Sequence, residues 1–365
     1  MALSRGSKWF LAFLALLLAG VAGLLYVLDG RLAPSIEPGQ PVTLVVEPGE
    51  SVRSVGDRLR DEGVVRSATT FRLAAEDADL ATVLQPGEYE LVTGMSNEEA
   101  IEVLLAGPVG PVGVRFTVPE GLPVEVTLER LAAQFEAYDV ADFRTVLDDR
   151  VEAGANDPGV LQLPDWVPEP ADADTEEGIE PFEGLLFPET YEVERDATPL
   201  RILQRMVDQL EQVMAAVPDE AVEAAEERGL SRYEVLIVAS IVEREVVVPV
   251  EREAVSGVIA NRLAEGMRLQ IDATVLYAKG EHTAIVALDD LDIDSPYNTY
   301  LIDGLPPTPI AGPGQAAITA AFSPADVPYR FYVLDAACDG SHVFAETSDE
   351  HEVNVAAFRE ADRCQ

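Results

Sequence analysis

The chain has little positive charge, few histidines and only two cysteines among its 365 residues. Its 25 lysines and arginines stand against 66 aspartates and glutamates, which gives a formal net charge of −41 at pH 7. An acidic surface repels phosphate backbones, and this argues against a nucleic acid as partner. Three scattered histidines and the absence of a CxxC pair predict no metal site.

The two cysteines, Cys338 and Cys364, leave two alternatives open. They can pair as a disulfide if the C-terminal part lies outside the cytoplasm, or they can remain unpaired structural thiols.

Aromatic residues are also few, at 7%, but hydrophobic residues make up 48% of the chain. That content is sufficient for buried cores and excludes global disorder, and the length predicts two or three domains. The sequence contains no GxSxG, HExxH or Ser-x-x-Lys motif. Their absence argues against the common serine and zinc hydrolases.

One long hydrophobic run lies at residues 9–28, which are twenty consecutive uncharged residues. A helix of that length spans a hydrocarbon core of about 30 Å. Arg5 and Lys8 precede the run, so the positive-inside rule places residues 1–8 in the cytoplasm and the chain after the run outside it. We predict a single-pass membrane anchor, rather than the alternative of a cleaved signal peptide, and a linker at 29–40.

A strand, turn and helix pattern recurs after the linker and predicts an α+β fold. In each copy a β-rich segment is followed by a residue suited to the start of a helix. These residues are Ser51, Ser96, Pro123 and, in a degenerate copy, Thr198. The first copy resembles the opening of LysM-like modules, which are small units of cell-wall glycan binders. We therefore predict a LysM-like domain at residues 41–107.

Residues 151–180 contain no lysine or arginine and are rich in acidic residues, proline and glycine. No hydrophobic period is visible, so we predict an acidic insertion that is anchored by Trp166 and has no catalytic role.

The segment VLIVASIVEREV, residues 235–246, is a continuous apolar run that ends in two carboxylates. On a helix, Glu243 shares a face with Leu236 and Ala239, whereas Glu245 lies on a different face. Two explanations fit this pattern. The end of a core helix reaches solvent, or a carboxyl group is held in an apolar setting that keeps its proton near neutral pH.

Three further segments are distinctive: EGLLFPETY at 183–191, VIANRLAEGMRLQIDATVLYA at 258–278 and SPYNTYLIDGLPPTPIAGPG at 295–314. Together with 235–246 they resemble, in the same order, four motifs of the YceG-like (MltG) family of membrane-anchored endolytic lytic transglycosylases of bacteria. The resemblance covers most of residues 41–360 and implies a catalytic domain at 108–365.

The resemblance implies a lyase that needs no cofactor. Such an enzyme cleaves peptidoglycan glycan strands between N-acetylmuramic acid and N-acetylglucosamine and leaves a 1,6-anhydromuramic end. Motif position makes Glu243 the catalytic acid. A single protonated carboxyl group suffices, because the C6 hydroxyl of the sugar attacks in place of water. The family's cellular role implies action on nascent strands beside peptidoglycan synthases, which limits strand length.

Other residues of these motifs are candidate contacts to the glycan. Polar groups suited to sugar hydroxyl or acetamido groups, and aromatic rings suited to stacking, are found at Gln270, Asp272, Thr274, Tyr277, Asn298, Tyr300, Glu183 and Tyr191. Ser240 and Glu245 are candidates for supporting the acid. Ordinary packing or a surface turn is the alternative for each of them.

Two other functions stay open on the sequence. A wall-anchored protein can bind glycan without cutting it, and Ile271 and Ala273 depart from the residues that are usual in the family motif. An unrelated extracytoplasmic hydrolase is the second alternative, although the hydrolase motifs named above are absent.

Overall fold

The structure is a computed structural model that describes residues 38–109, 113–154, 157–170, 179–280 and 286–361. It has the α+β character that the sequence predicts, with many helices and three two-stranded sheets in the described ranges. The chain divides into two compact units. One unit comprises residues up to Arg115 with Glu192–Arg195, and the other comprises Phe116–Tyr191 and residues from Asp196 onward.

The membrane anchor predicted at residues 9–28 lies outside the described residues. From residue 38 onward, no helix in the described ranges is both long enough and apolar enough to cross a membrane. Cys338 takes part in a disulfide bond, and Cys364, the other cysteine of the chain, also lies outside the described residues.

The first unit contains two antiparallel strands and four helices among its described residues. In chain order they are β1 (Pro41–Val46), α1 (Val52–Asp61), α2 (Ala68–Asp77), α3 (Leu80–Val83), β2 (Gly87–Val92) and α4 (Asn97–Ala106). Alternation along β1 turns Leu44 and Val46 inward, where they pack with Leu59, Phe71 and Tyr89 in one buried cluster.

The second unit consists mainly of helices. They are α5 (Val124–Gln134), α6 (Val140–Ala153), α7 (Pro199–Ala215), α8 (Asp219–Glu227), α9 (Arg232–Glu245), α10 (Arg252–Ala264), α11 (Asp272–Ala278), α12 (Gln315–Phe322) and α13 (Ser348–Glu360). The strands β5 (Phe331–Leu334) and β6 (His342–Ala345) of this unit pair with each other. The strands β3 (Val114–Thr117) and β4 (Thr190–Val193) also pair with each other, and each of them has residues in both units.

The helix starts predicted from the recurring pattern are confirmed. Ser51, Ser96 and Thr198 are the N-caps of α1, α4 and α7, and each side chain accepts a backbone N–H of the first turn. Pro123 precedes α5. These residues fix where each helix begins because they satisfy amide groups that have no partner inside the helix.

Helix α9 forms the core of the second unit. Ser231 and Glu234 close a capping box at its start, and residues 235–242 are all buried. Helices α8, α10, α11 and α12 pack around it, so the apolar run of the sequence is enclosed on several sides. Burial of each aliphatic side chain contributes about 1.5–3 kcal/mol. This packing fixes where the charged end of the helix lies.

The acidic stretch begins later than predicted, because α6 continues to Ala153. The anchor predicted at Trp166 is confirmed: its indole N–H donates to Glu211 of α7 at 2.6 Å. Arg150 is buried and pairs with Glu169 at 3.1 Å. Residues 171–178 of the stretch lie outside the described residues.

Candidate active site

Glu243 lies half-buried in the last turn of α9. Its Oε2 accepts the backbone N–H of Gly314 at 3.3 Å. Gly314 immediately precedes α12, the helix that packs along α9. The carboxyl group is therefore held between the end of a core helix and the start of its neighbour.

Burial raises the pKa of Glu243, and repulsion from the carboxylate of Glu120 raises it further. The N–H of Gly314 and the positive charges of Arg252 and Arg244 act in the opposite direction and favour the carboxylate, but the net shift is upward. A carboxyl group with a raised pKa holds a proton at higher pH than an exposed glutamate does.

The sequence does not identify Glu120 as part of the site. The absence of a side chain at Gly314 allows Glu120 to lie close to Glu243. A side chain on Gly314 would overlap the carboxylate of Glu120. Because glycine has no Cβ, Glu120 can lie against the same main-chain segment whose N–H donates to Glu243. Two carboxyl groups that are far apart in sequence thus meet around one glycine.

Backbone hydrogen bonds hold the segment that carries Glu120. The N–H of Gly121 donates to the carbonyl of Gly312 at 2.8 Å. The N–H of Gly312 in turn donates to the carbonyl of Leu122 at 2.9 Å. Arg244 donates to the carbonyl of Gly121 at 3.1 Å. Gly121 has a φ of +76°, which favours glycine at this turn. The turn before α5 is therefore fixed beside the end of α9.

Glu245 contacts different elements from those around Glu243. It accepts the hydroxyl of Tyr332 at 3.0 Å and the N–H of Ala273 at 3.4 Å. Burial raises the pKa of Glu245, and repulsion from Asp272 raises it further. The hydrogen bond from Tyr332 lowers that pKa, but the net shift is upward. The two carboxylates of the segment thus face separate surroundings, as helical periodicity predicts.

Ser240 links α9 to the proline-rich loop. It is fully buried, donates to the carbonyl of Ile237 at 2.7 Å and accepts the N–H of Ile310 at 3.0 Å. Ser240 therefore holds the loop that continues to Gly314, the residue that donates to Glu243.

Three of the predicted glycan contacts remain accessible or partly accessible. Gln270 and Asp272 are exposed, and Tyr300 is partly exposed and donates to Asp272 at 2.6 Å. Gln270 has a φ of +49°, in the left-handed region, which costs a non-glycine residue about 1 kcal/mol or more. Its N–H donates to the carbonyl of Thr299 at 3.1 Å, and this bond helps to hold the strained backbone.

Other predicted contacts are turned into the protein. Thr274 and Asn298 are fully buried. Tyr277 is only half-buried, like Tyr300, but its hydroxyl is directed to the buried Glu183. Thr274 donates to Ile271, Asn298 donates to the carbonyls of Leu291 and Ile293, and Tyr277 donates to Glu183. Helix α11 begins at Asp272, so Thr274 and Tyr277 both lie on that helix.

Glu183 and Tyr191 are candidate glycan contacts on the sequence, and the structure places both in the core. Glu183 accepts the N–H of Val124 at 3.0 Å, the N–H of Gly184 at 3.2 Å and the hydroxyl of Tyr277 at 2.9 Å. Burial raises the pKa of Glu183 to about 8, although these three hydrogen bonds favour the carboxylate and lower the pKa. Tyr191 donates to the carbonyl of Phe187 at 2.6 Å. Both side chains stabilise the fold and are not open to a substrate in this structure.

The chain is similar to curated proteins called endolytic murein transglycosylase. The one from Bacillus subtilis is 32% identical over 316 residues, an alignment that covers 85% of this chain and 82% of the relative. The one from Streptococcus pneumoniae R6 is 30% identical over 365 residues and covers 95% of this chain. The chain spans 64% of the length of that pneumococcal relative.

A crystal structure of a yceG-like protein from Listeria monocytogenes matches with a TM-score of 0.57 and 29% identity. The match covers 86% of this chain and 98% of that one. The model of the YceG-like family matches residues 44–357. The chain therefore belongs to the YceG-like family.

Proposed function

We propose that the protein is an endolytic murein transglycosylase with Glu243 as its catalytic acid. It cleaves peptidoglycan glycan strands between N-acetylmuramic acid and N-acetylglucosamine and leaves a 1,6-anhydromuramic end. The observation that carries the proposal is the half-buried carboxyl group of Glu243, held between the N–H of Gly314 and the carboxylate of Glu120. The names of the relatives support the same activity.

The reaction needs one group that gives and then takes a proton. Glu243 protonates the glycosidic oxygen as the bond from C1 of the muramic residue breaks, and the leaving N-acetylglucosamine keeps that proton on its C4 hydroxyl. The C6 hydroxyl of the muramic residue then attacks C1, and the carboxylate of Glu243 takes the C6 proton. The acid is regenerated, and no water enters the reaction.

The surroundings of Glu243 suit both of its protonation states. Burial and Glu120 favour the protonated form, which is required when the substrate binds. Once the proton has left, the N–H of Gly314 and the charges of Arg244 and Arg252 stabilise the carboxylate. These groups are in place before the reaction, so little reorganisation is required.

The exposed residues Gln270 and Asp272 and the partly exposed Tyr300 are the proposed contacts to sugar hydroxyl and acetamido groups. The buried residues Thr274 and Asn298 hold the neighbouring backbone: Asn298 accepts the N–H of Tyr300 at 3.0 Å, and Thr274 donates to the carbonyl of Ile271 at 2.7 Å.

The proposal also places the protein at the membrane. Residues 9–28 anchor it, residues 1–8 lie in the cytoplasm, and the rest acts outside on nascent strands beside peptidoglycan synthases. Residues 41–107 form a LysM-like glycan-binding module, and residues 108–365 form the catalytic domain. The order β1–α1–α2 followed by the antiparallel partner β2 supports the module.

The nature of the products tests the activity. Purified peptidoglycan is digested with the full chain, and the soluble products are analysed by mass spectrometry. We expect anhydromuropeptides. Products with reducing ends would identify a hydrolase, and the absence of soluble products despite sedimentation with the polymer would identify a non-catalytic glycan binder.

Replacement of Glu120 by glutamine is expected to move the alkaline limb of the pH profile to lower pH. The carboxylate of Glu120 raises the pKa of Glu243, so its removal lowers that pKa and Glu243 loses its proton at lower pH. The measurement is kcat/KM for strand cleavage between pH 4 and 9.

Glu125→Gln is a matched control, because Glu125 is exposed and follows Glu120 closely on the same segment. It pairs with Arg144 and not with the site. An unchanged alkaline limb in Glu120→Gln would show that Glu120 does not act on the catalytic acid.

A further inference from the structure

A cavity of about 770 Å³ opens in the second unit beside Glu120. Its wall is formed by the segment that joins α9 to α10, by the first turn of α10, by one face of α12 and by Glu120. Arg252, Gln315 and Thr319 contribute polar groups, and Pro249, Val250 and Ala316 contribute apolar surface. The side chain of Val250 is 87% exposed. The cavity is thus open and mixed in chemistry.

Arg252 is the unusual residue of this wall. Its Nε is buried and has no hydrogen-bond partner, and its guanidinium forms no ion pair with the residues that the structure describes. Carboxylates outnumber basic residues in this chain by 66 to 25, and other arginines such as Arg144 and Arg330 do pair with them. Arg72 and Arg150 also carry a buried Nε without a hydrogen-bond partner, but each of them pairs with a carboxylate. Arg252 pairs with no carboxylate of the described residues, so its guanidinium can bind an anionic group that enters the cavity.

The cavity adjoins the catalytic acid. Arg252 is close enough to Glu243 to favour its carboxylate form, and Glu120 belongs both to the cavity wall and to the surroundings of Glu243. A group bound in the cavity would therefore belong to a part of the substrate close to the bond that is cleaved.

We propose that this cavity takes the peptide stem of a muramic acid residue beside the cleaved bond, and that Arg252 binds a carboxylate of that stem. The inference rests on the proposed function and names the part of the substrate that the site recognises. Arginine suits this task because its planar group donates two parallel hydrogen bonds to a carboxylate.

The rest of the wall fits a short peptide better than a bare sugar. N-acetylglucosamine carries no charge, and the lactyl group of a stem-bearing muramic residue is an amide, so neither would engage a guanidinium strongly. A stem offers carboxylates, peptide groups that can bond to Gln315 and Thr319, and methyl side chains that can pack on Val250 and Ala316. The nearby carboxylates of Glu120 and Glu253 suit a stem amine.

The test uses two substrates that differ only at the stem carboxylates. Glycan strands with free stem carboxylates are compared with the same strands after the carboxylates are converted to carboxamides with carbodiimide and ammonia. We expect the wild-type protein to cleave the carboxylate strands with a kcat/KM about tenfold or more higher, which is typical of one charge-assisted hydrogen-bonded contact. We expect Arg252→Gln to remove that preference and Arg252→Lys to restore part of it.

Arg359→Gln is the matched control, because Arg359 is exposed at the far end of the chain and the substitution changes the net charge equally. If Arg252→Gln lowers kcat/KM equally on both substrates, the inference is overturned, and Arg252 acts only by stabilising the carboxylate of Glu243. The same holds if the wild-type protein shows no preference.

A second measurement separates this inference from the proposed activity. The free stem tripeptide and its fully amidated form are titrated calorimetrically against the wild-type protein and Arg252→Gln. We expect only the free acid to bind measurably to the wild-type protein, and we expect Arg252→Gln to lose that binding. A protein that cleaves neither strand but binds the free acid through Arg252 would refute the activity and keep the site. Equal binding by the two proteins would refute the site.

Discussion

Replacement of Glu243 by glutamine is expected to lower the kcat of strand cleavage by about a thousandfold, since general acid catalysis contributes about 10²–10⁴. Glutamine has nearly the same shape and keeps an oxygen that can accept the N–H of Gly314. It cannot, however, give a proton to the glycosidic oxygen or take one from the C6 hydroxyl. Because the pKa of Glu243 is raised, a neutral amide is tolerated at this position, and we expect the fold to remain intact.

Quantitative muropeptide analysis over time measures the rate, and circular dichroism checks the fold. Glu223→Gln is the matched control, because Glu223 is an exposed residue of α8. Glu245→Gln separates the two carboxylates of the segment. If Glu245→Gln abolishes cleavage while Glu243→Gln retains it, Glu243 is not the acid.

Replacement of Glu183 by leucine is expected to lower the free energy of unfolding by about 3 kcal/mol, because buried donors that lose their acceptor cost about 1–3 kcal/mol each. The N–H groups of Val124 and Gly184 and the hydroxyl of Tyr277 would all lose their partner. Val124 is the first residue of α5, so the start of that helix would be weakened. Urea unfolding measures the change.

The pH dependence of the same measurement gives a sharper test. Burial raises the pKa of Glu183 to about 8 in the folded protein, well above its value in the unfolded chain. Below the unfolded pKa of about 4.3 both states bind the proton, and the contribution of Glu183 to stability is fully present. As the pH rises toward 8, the unfolded chain releases the proton first, and stability falls by at most ~1.4 kcal/mol per pH unit.

Glu183→Gln does not titrate, so its stability relative to the wild type should increase from pH 5 to pH 8. Other titrating groups cancel in this comparison of two proteins that differ by one residue. Glu223→Leu serves as an exposed control for the leucine variant and should change stability by less than about 0.5 kcal/mol. A constant difference between Glu183→Gln and the wild type across the pH range would show that Glu183 is ionised in the folded protein.

Local features of the chain were predictable because they depend on neighbouring residues. Ser51, Ser96 and Thr198 begin helices through bonds within one turn. The apolar run of residues 235–242 requires burial whatever surrounds it. Helical periodicity also separated Glu243 from Glu245, and the structure gives the two carboxylates different partners.

Polar residues in the motifs were harder to interpret, because a polar side chain serves equally well in a ligand contact or in an internal hydrogen bond. Thr274, Asn298 and Glu183 were predicted to contact the glycan. In the structure Thr274 and Glu183 bond to segments that are distant in sequence, and Asn298 bonds to backbone carbonyls of the segment before it. A sequence pattern shows which groups need a partner but not where the partner lies.

The sequence by itself determined the α+β character, the helix starts, the core helix α9 and the motifs that identify the family. Only the tertiary structure brought Glu120 close to Glu243, on either side of Gly314. It also placed Arg252 beside a cavity, where Arg252 forms no ion pair with the described residues. The physical reason is range. Caps and hydrophobic periods act within a few residues, whereas burial, charge repulsion and an unsatisfied guanidinium depend on segments that only folding brings together.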